Sequence, residues 1–342
     1  MVCLKDNHLL PSELAAPFSI GPVPVRNRVI LAPMSGVTDL PFRQLALRYG
    51  AGLVVTEMVA SRELVQDTAE SWARLRSAGL KPHMVQLAGR EAHWMAEAAK
   101  IAADNGADII DINMGCPAKK VIGGYSGSAL MRDPDHALRL IEATVRAIDI
   151  PVTLKMRLGW DENSINAPHI ARRAEQAGIQ LVTIHGRTRM QFYEGRADWN
   201  AIRAVRDAVS IPLVANGDVD TQEDAQEMLR CSGADAIMVG RGCQGRPWHA
   251  GVLAGHREPD RSEIANIALE HYRMMLAFYG EAVGIRHARK HRGWYLDRYA
   301  PTIAGAEKAG IMTSKDSREV AALFHAALQT GSDLARSLQE AA

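Results

Sequence analysis

Cysteine is scarce in this sequence: Cys3, Cys116, Cys231 and Cys243 are the four present among 342 residues. They form no Cys-x-x-Cys pair and no mixed Cys/His spacing, which argues against a zinc site, and four in this length make no disulfide framework. No metal is expected, and a reducing, cytoplasmic setting is. An excess of one charge is missing as well, since 40 Lys and Arg stand against 39 Asp and Glu, a formal net charge of +1. A nucleic-acid partner would have to be gripped by a local basic patch rather than by the molecule as a whole. No stretch approaches the ~20 apolar residues of a spanning helix. Lys5, Asp6 and His8 interrupt the apolar residues near the start, so neither a membrane segment nor an export signal is expected. Solenoid repeats and low-complexity tracts are absent. With 47% hydrophobic and 23% charged residues, the composition is that of a folded protein with a large core and a second, smaller domain.

Eight short apolar runs, rich in Val and Ile, fill the first three quarters: Val29 to Ala32, Leu53 to Thr56, His83 to Leu87, Ile109 to Ile112, Val152 to Met156, Leu181 to Ile184, Leu213 to Ala215 and Ala236 to Val239. Helical stretches separate them, among them Glu91 to Asn105, Asp135 to Ala147 and Thr221 to Leu229, with Gly106, Gly178 and Gly233 at helix stops. Doubly wound sheets share this alternation, but eight strand–helix units in about 230 residues match the usual size of a (β/α)8 barrel. From about Ala254 the periodicity turns helical without strands. One helix holds Ile264, Ile267, Ala268 and His271 and continues through Met274 to Phe278; others cover Gly284 to Tyr299 and Ser317 to Leu338. The expected fold is an α/β (β/α)8 TIM barrel, residues 1–253, followed by a small all-helical C-terminal domain, residues 254–342, with His256 to Asp260 as linker.

Barrel enzymes carry their active sites at the carboxyl ends of the strands. The polar residues there are Pro33-Met34-Ser35, Glu57, Gln86, Asn113 with Cys116, Lys155 with Arg157, His185 with Arg187, Asn216-Gly217-Asp218 and Gly240-Arg241. Lys155 and Arg157 share one strand face while Leu154 and Met156 take the other. A lysine at the mouth either pairs with a buried carboxylate, for which Asp111 is the candidate, or stabilises an anion on a ligand. Asn216-Gly217-Asp218 and Gly240-Arg241-Gly242 follow strands seven and eight, where barrels often bind phosphate through backbone N–H groups, with Arg241 adding a charge-assisted contact. Asp218 is expected as a helix cap or hydroxyl contact. Cys116, just past the fourth strand, has a thiol whose reference pKa near ~8.5 keeps it protonated and able to give a proton away. A small buried cysteine at a strand end is the competing reading. The segment Gly123-Gly124-Tyr125-Ser126-Gly127-Ser128-Ala129-Leu130 suits a mobile active-site loop. Cys3, Cys231 and Cys243 are taken as structural.

Taken together, Ala32-Pro33-Met34-Ser35-Gly36-Val37-Thr38-Asp39, Thr56-Glu57-Met58, Gln86-Leu87, Asn113-Met114-Gly115-Cys116-Pro117, Lys155-Met156-Arg157, His185-Gly186-Arg187-Thr188 and the two glycine motifs resemble the tRNA-dihydrouridine synthase family, from about Asn27 to Tyr295. The resemblance implies an FMN-binding barrel with a helical RNA-binding domain, reducing uridine in tRNA to 5,6-dihydrouridine with NADPH as reductant. By position it implies that Pro33, Met34 and Ser35 line the flavin ring, that Gln86 and Lys155 bind its polar edge, and that Asn113 sits beside flavin and substrate. It makes His185 a further FMN contact, places Asn216, Gly217, Asp218, Gly240 and Arg241 at the phosphate end, and makes Cys116 the proton donor. Arg286-His287-Ala288-Arg289-Lys290-His291-Arg292-Gly293-Trp294-Tyr295 resembles the family's basic helix, so Arg286, Arg289, Lys290 and Arg292, with Lys119 and Lys120 on the loop, are candidate RNA contacts. Asp297 to Thr313 departs from the family pattern. Two other readings remain open: an FMN-dependent barrel oxidoreductase acting on a small-molecule pyrimidine or enone, and an RNA-binding protein without turnover.

Overall fold

Along the strand Ile109–Met114 successive side chains point to opposite sides of the sheet. Ile110, Ile112 and Met114 pack outward in the cluster shared with the helices, whereas Ile109 joins Ile30, Leu53, Met84, Leu181 and Val214 inside the barrel. The next inward positions are Asp111 and Asn113, so the lumen changes from apolar at its base to polar at its carboxyl end. A hairpin of Phe18–Ile20 against Val23–Val25 closes the base, with Ile20 and Val25 fully buried in the lumen cluster.

The computed structural model describes residues 11–340, which leaves Cys3 outside. Among the described residues nine parallel strands form one sheet, in the order Leu53–Val54, Val29–Leu31, Ala236–Val239, Leu213–Asn216, Val182–His185, Val152–Arg157, Ile109–Met114, Met84–Ala88 and Val59–Ala60. A parallel bridge between Val55 and Met84, with the Thr56 N–H donating to the Met84 carbonyl at 3.1 Å, joins the two ends and closes the barrel. All eight expected runs are strands. The ninth arises because the second run is divided: Leu53–Val54 pairs with the first strand, and Val59–Ala60 resumes against Leu87 and Ala88. Between the two pieces Glu57 turns inward to accept the Gly36 N–H at 2.5 Å.

The expected helices appear as Ala92–Asp104, Pro134–Ala147 and Gln222–Ser232. The last begins at a reciprocal capping box of Thr221 and Asp224 and stops at Gly233, whose φ of 65° suits glycine. Among the described residues four helices follow the barrel, Arg261–Tyr279, Glu281–Tyr299, Gly305–Thr313 and Ser317–Glu340. The third lies in the segment that departs from the family pattern. The expected linker ends at Asp260, which caps the first of these helices by accepting the Glu263 N–H at 2.9 Å. Ile264, Ala268, Tyr295 and Phe324 pack with Leu45 and Trp248 of the barrel, so the bundle sits against the helix Leu40–Arg48. Tyr279 Oη donates to Asp39 Oδ2 at 3.0 Å across the same boundary.

Ile20→Ala should therefore destabilise the protein by about 2–5 kcal/mol, because the lumen cannot collapse around the lost atoms. Ile165→Ala, at a position 47% exposed, should change stability by less than about 0.5 kcal/mol. Urea unfolding midpoints compare the two, and equal midpoints would contradict this account of the base.

Candidate active site

Asp111 is 1% exposed, and a carboxylate so far from water needs donors. Thr153 Oγ1 and Gln86 Nε2 each donate to it at 2.6 Å. With its nitrogen committed, the Gln86 amide presents Oε1 to Asn113 Nδ2 at 2.7 Å. Asn113 Oδ1 then accepts the N–H groups of Gly115 and Cys116 at 3.2 and 3.0 Å. One chain of hydrogen bonds runs from the lumen to the cysteine loop. Burial pushes the Asp111 carboxyl upward, opposed by the two donors and by the charge of Lys155.

Lys155 is 9% exposed, and its Nζ donates to Asn216 Oδ1 at 3.0 Å. Asn216 is fixed in turn by donating Nδ2 to the Met238 carbonyl at 2.8 Å. Asp111 acts on the ammonium through space and not as its hydrogen-bond partner. Two of the three ammonium hydrogens have no protein acceptor among the described residues. Burial lowers Lys155 to about 8, with the negative charge of Asp111 working in the other direction. Leu154 and Met156 lie in the outer core, as the strand alternation requires.

Cys116 is half-buried, and burial pushes its thiol up, so it holds its proton at neutral pH. Ser128 Oγ donates to its carbonyl at 2.9 Å. The glycine-rich segment runs from a short helix, Lys119–Ile122, into a 3-10 turn, Gly127–Arg132, in which Ser128, Leu130 and Met131 are buried. Tyr125 between them is 70% exposed.

At the last two strand ends the expectation for Asp218 needs correction. Among the described residues it caps no helix; the cap of the following helix, Gln222–Ser232, is Thr221. Its carboxylate instead accepts Arg187 at 2.5 and 3.0 Å, Arg241 at 2.7 Å and the Ala197 N–H at 2.8 Å. Burial alone would raise Asp218, but the Arg187 and Ala197 bonds and both guanidinium charges hold it below the usual carboxylate range. At Gly217, with φ of 128°, an added Cβ would lie 2.7 Å from the Ala197 Cβ, so only glycine fits. The N–H groups of Gly217, Asp218, Gly240 and Arg241 meet no backbone acceptor among the described residues. His185 is uncharged at neutral pH, because burial and the neighbouring Arg157, Lys155 and Arg187 drive its pKa far down.

All the residues expected to act in catalysis or cofactor binding line one cavity of about 1380 Å³: Pro33, Met34, Ser35, Gln86, Asn113, Cys116, Lys155, His185, Asn216, Gly217, Asp218, Gly240 and Arg241. Arg286, Arg289 and Lys290 line a separate surface hollow of about 520 Å³ with His287. Arg292 does not join them. It is 1% exposed and donates to the carbonyls of Ile311 at 2.8 Å and Ile285 at 3.1 Å, because it falls on the helix face that also buries Ile285, Ala288 and Tyr295. Lys119 is exposed, and the side chain of Lys120 lies outside the described residues. Arg157, on the same strand face as Lys155, also lines the cavity. It donates Nε to the Gly115 carbonyl at 2.8 Å and Nη1 to the carbonyls of Thr188 and Phe192 at 2.9 Å. Arg189, Trp160 and Tyr193, also near the mouth, gave no signal in the strand-end pattern.

Cys243 is buried and pushed up to about 12, and Cys231 is half-buried beside Glu227. Among the described residues no group of three His, Cys, Asp or Glu could hold a metal ion, and no helix is long and apolar enough to cross a membrane.

The lowered pKa of Lys155 fixes the sign of a pH effect. Between about 8 and its ordinary 10.5 the unfolded chain binds this proton and the folded one does not, so stability from this group rises with pH across that window. Wild type should accordingly gain on Lys155→Met as pH rises from 8 to 10.5 in paired denaturant titrations. A constant difference would show that the ammonium is not desolvated.

Residues 30–329 match the dihydrouridine synthase (Dus) family. The probable tRNA-dihydrouridine synthase of Rhizobium leguminosarum bv. phaseoli is 82% identical over 307 residues, covering 90% of this chain and 97% of its own. The tRNA-dihydrouridine synthase B of Pseudomonas syringae pv. tomato is 48% identical over 297 residues, covering 84% and 87%. Among solved structures, morphinone reductase superposes with a TM-score of 0.53 at 17% identity, over 73% of this chain and 93% of that one. Histamine dehydrogenase from Rhizobium sp. 4-9 gives 0.53 at 14% identity, over 93% and 65%. At those identities the likeness to the solved structures is one of fold alone. The family match over most of its length, with the 82% identity of a curated relative, shows that the chain belongs to the dihydrouridine synthase family.

Proposed function

We propose that the protein reduces uridines in tRNA to 5,6-dihydrouridine, using bound FMN and NADPH as reductant. The observation that carries this reading is Lys155, a buried ammonium with one protein partner on the wall of a large cavity that it shares with Cys116. A flavin asks of its protein a cation at the pyrimidine edge of the ring and donors at the phosphate. The residues present fit that demand. Lys155 has two hydrogens to offer, and the unpartnered N–H groups of Gly217, Asp218, Gly240 and Arg241 suit a phosphate. Pro33, Met34, Ser35, Gln86 and His185 complete the lining for the ring. Bound there, FMN would supply the hydride for uracil C6.

The chain's own groups supply the rest. Cys116, protonated because it is half-buried, gives its proton to C5, where negative charge is left once C6 is attacked. Lys155 would hold the flavin's pyrimidine edge, where its ammonium would favour negative charge. Asn113, locked by Gln86 and by the cysteine loop, orients base against ring. The target base cannot reach a barrel mouth while stacked and must be turned out. Residues 1–253 form the catalytic domain in this reading and residues 254–342 the RNA-binding domain. Arg286, Arg289 and Lys290, with Lys119 and Lys120, contact phosphates. Arg292 is left out of that set because it is buried. Such an enzyme works in the cytoplasm, where its tRNA is.

Purified protein should carry noncovalent flavin, visible in its absorbance; no flavin and no uptake of added FMN would sink the reading. Cys116→Ala should separate the half-reactions. Flavin reduction by NADPH should proceed nearly as in wild type, while reoxidation by unmodified tRNA should slow by about 10²–10⁴-fold, the usual worth of a general acid. Stopped-flow mixing under anaerobic conditions reads both, and a wild-type reoxidation rate would remove Cys116 as the donor. Reversing charge at Arg286 and Arg289 should weaken tRNA binding and flatten its salt dependence with flavin content normal. An unchanged slope would mean that this helix presents only a solvated face.

A further inference from the structure

Three consecutive carbonyls of the cysteine loop each face a different donor. Gly115 takes Arg157 Nε at 2.8 Å, Cys116 takes Ser128 Oγ at 2.9 Å, and Pro117 faces Arg189 Nη2 at 3.5 Å. The third donor differs from the other buried guanidinium, Arg157, whose Nε and Nη1 meet three carbonyls. Arg189 is 7% exposed, yet it makes no ion pair among the described residues, and its Nε is buried without a partner. A charge so deep is ordinarily paired with an acid. Here two aromatic faces hold it instead, Trp160 at 4.8 Å and Phe192 at 4.4 Å from the guanidinium carbon, with Met190 Sδ at 3.1 Å from Nη1. A planar guanidinium suits that slot and a lysine ammonium does not.

The three contacts come from three successive barrel loops. Pro117 follows the strand Ile109–Met114, Trp160 follows Val152–Arg157, and Phe192 follows Val182–His185. Arg189 thus ties these loops together at the residue next to Cys116. We propose that Arg189 is a positioning residue: clasped by Trp160 and Phe192, it fixes the cysteine loop through the Pro117 carbonyl and so places the Cys116 thiol. It does not itself touch the base. The inference rests on the reading of Cys116 as proton donor. A catalytic group displaced by about 1 Å costs on the order of 10²-fold in rate, which sets the scale of the effect.

The test compares Arg189→Met and Arg189→Lys with wild type as flavin-loaded enzymes. Both should slow tRNA-dependent flavin reoxidation by about 10–10²-fold while KM for tRNA stays near wild type, because position and not binding is lost. Alkylation of Cys116 by iodoacetamide, followed by peptide mass spectrometry with Cys231 as internal reference, should accelerate as the loop loosens. Wild-type rates in both assays for Arg189→Met, with or without a lowered melting temperature, overturn the proposal. Full recovery in Arg189→Lys overturns it too, since charge alone would then suffice. If Arg189→Met does not fold, Trp160→Leu removes one face of the clasp and should show the same two changes in smaller measure. Faster alkylation in the Arg189 variants together with wild-type reoxidation in Cys116→Ala would keep the clasp and reject the proton-donor reading.

Discussion

A carboxylate held entirely away from water must be surrounded by donors, and Asp111 meets that demand in a way that orders the whole mouth of the barrel. It engages Thr153 and the nitrogen of Gln86, and this decides which way the Gln86 amide points. The oxygen end of Gln86 then decides the orientation of Asn113, and Asn113 grips the amides of Gly115 and Cys116. Had the inward position of that strand been apolar, nothing in the lumen would specify where the cysteine loop begins. Asp111 also keeps the Lys155 ammonium charged more readily than burial alone would allow.

In and around the mouth positive charge outnumbers its partners. Arg241 of the cavity and Arg187 behind it share Asp218, while Lys155 and Arg157 of the lining, and Arg189 beside the cysteine loop, have neutral oxygens or aromatic rings as partners. Such a surplus favours an anionic ligand, and it adds to burial, the larger cause, in keeping His185 uncharged. The basic helix of the bundle continues the positive surface toward the rim. Lys290 carries its amine to the turn that lines the cavity, where a Cβ on Gly36 would stand 2.8 Å from Nζ. Tail and mouth are therefore adjacent, as an enzyme acting on a base within a large RNA requires.

Much of this was legible in the residues. Strand alternation separated Lys155 and Arg157 from Leu154 and Met156, and polar residues after apolar runs marked the rim. What stayed hidden was pairing between distant positions. Asp218 reads as a cap until Arg187, 31 positions earlier, is seen beside it. Nothing near Asp111 in the sequence names Gln86 as its partner, 25 positions away. Arg292 is a different failure, because the signal was there. Ile285, Ala288, Arg292 and Tyr295 recur at helical spacing, and weighing that face against the run of basic residues would have placed Arg292 inside. The division of the second strand depends on Glu57 reaching Gly36, a contact that apolar patterning does not encode.

The central claim is that this cavity reduces uridine in tRNA, and its most direct test is made in the cell. Dihydrouridine would be mapped at single-nucleotide resolution in RNA from cells deleted for this protein, with wild type or Lys155→Met restored. The account predicts that dihydrouridine disappears from defined tRNA uridines on deletion, returns with the wild type, and stays absent or strongly reduced with Lys155→Met. An unchanged dihydrouridine map on deletion, in cells with no second enzyme of this family, would contradict it.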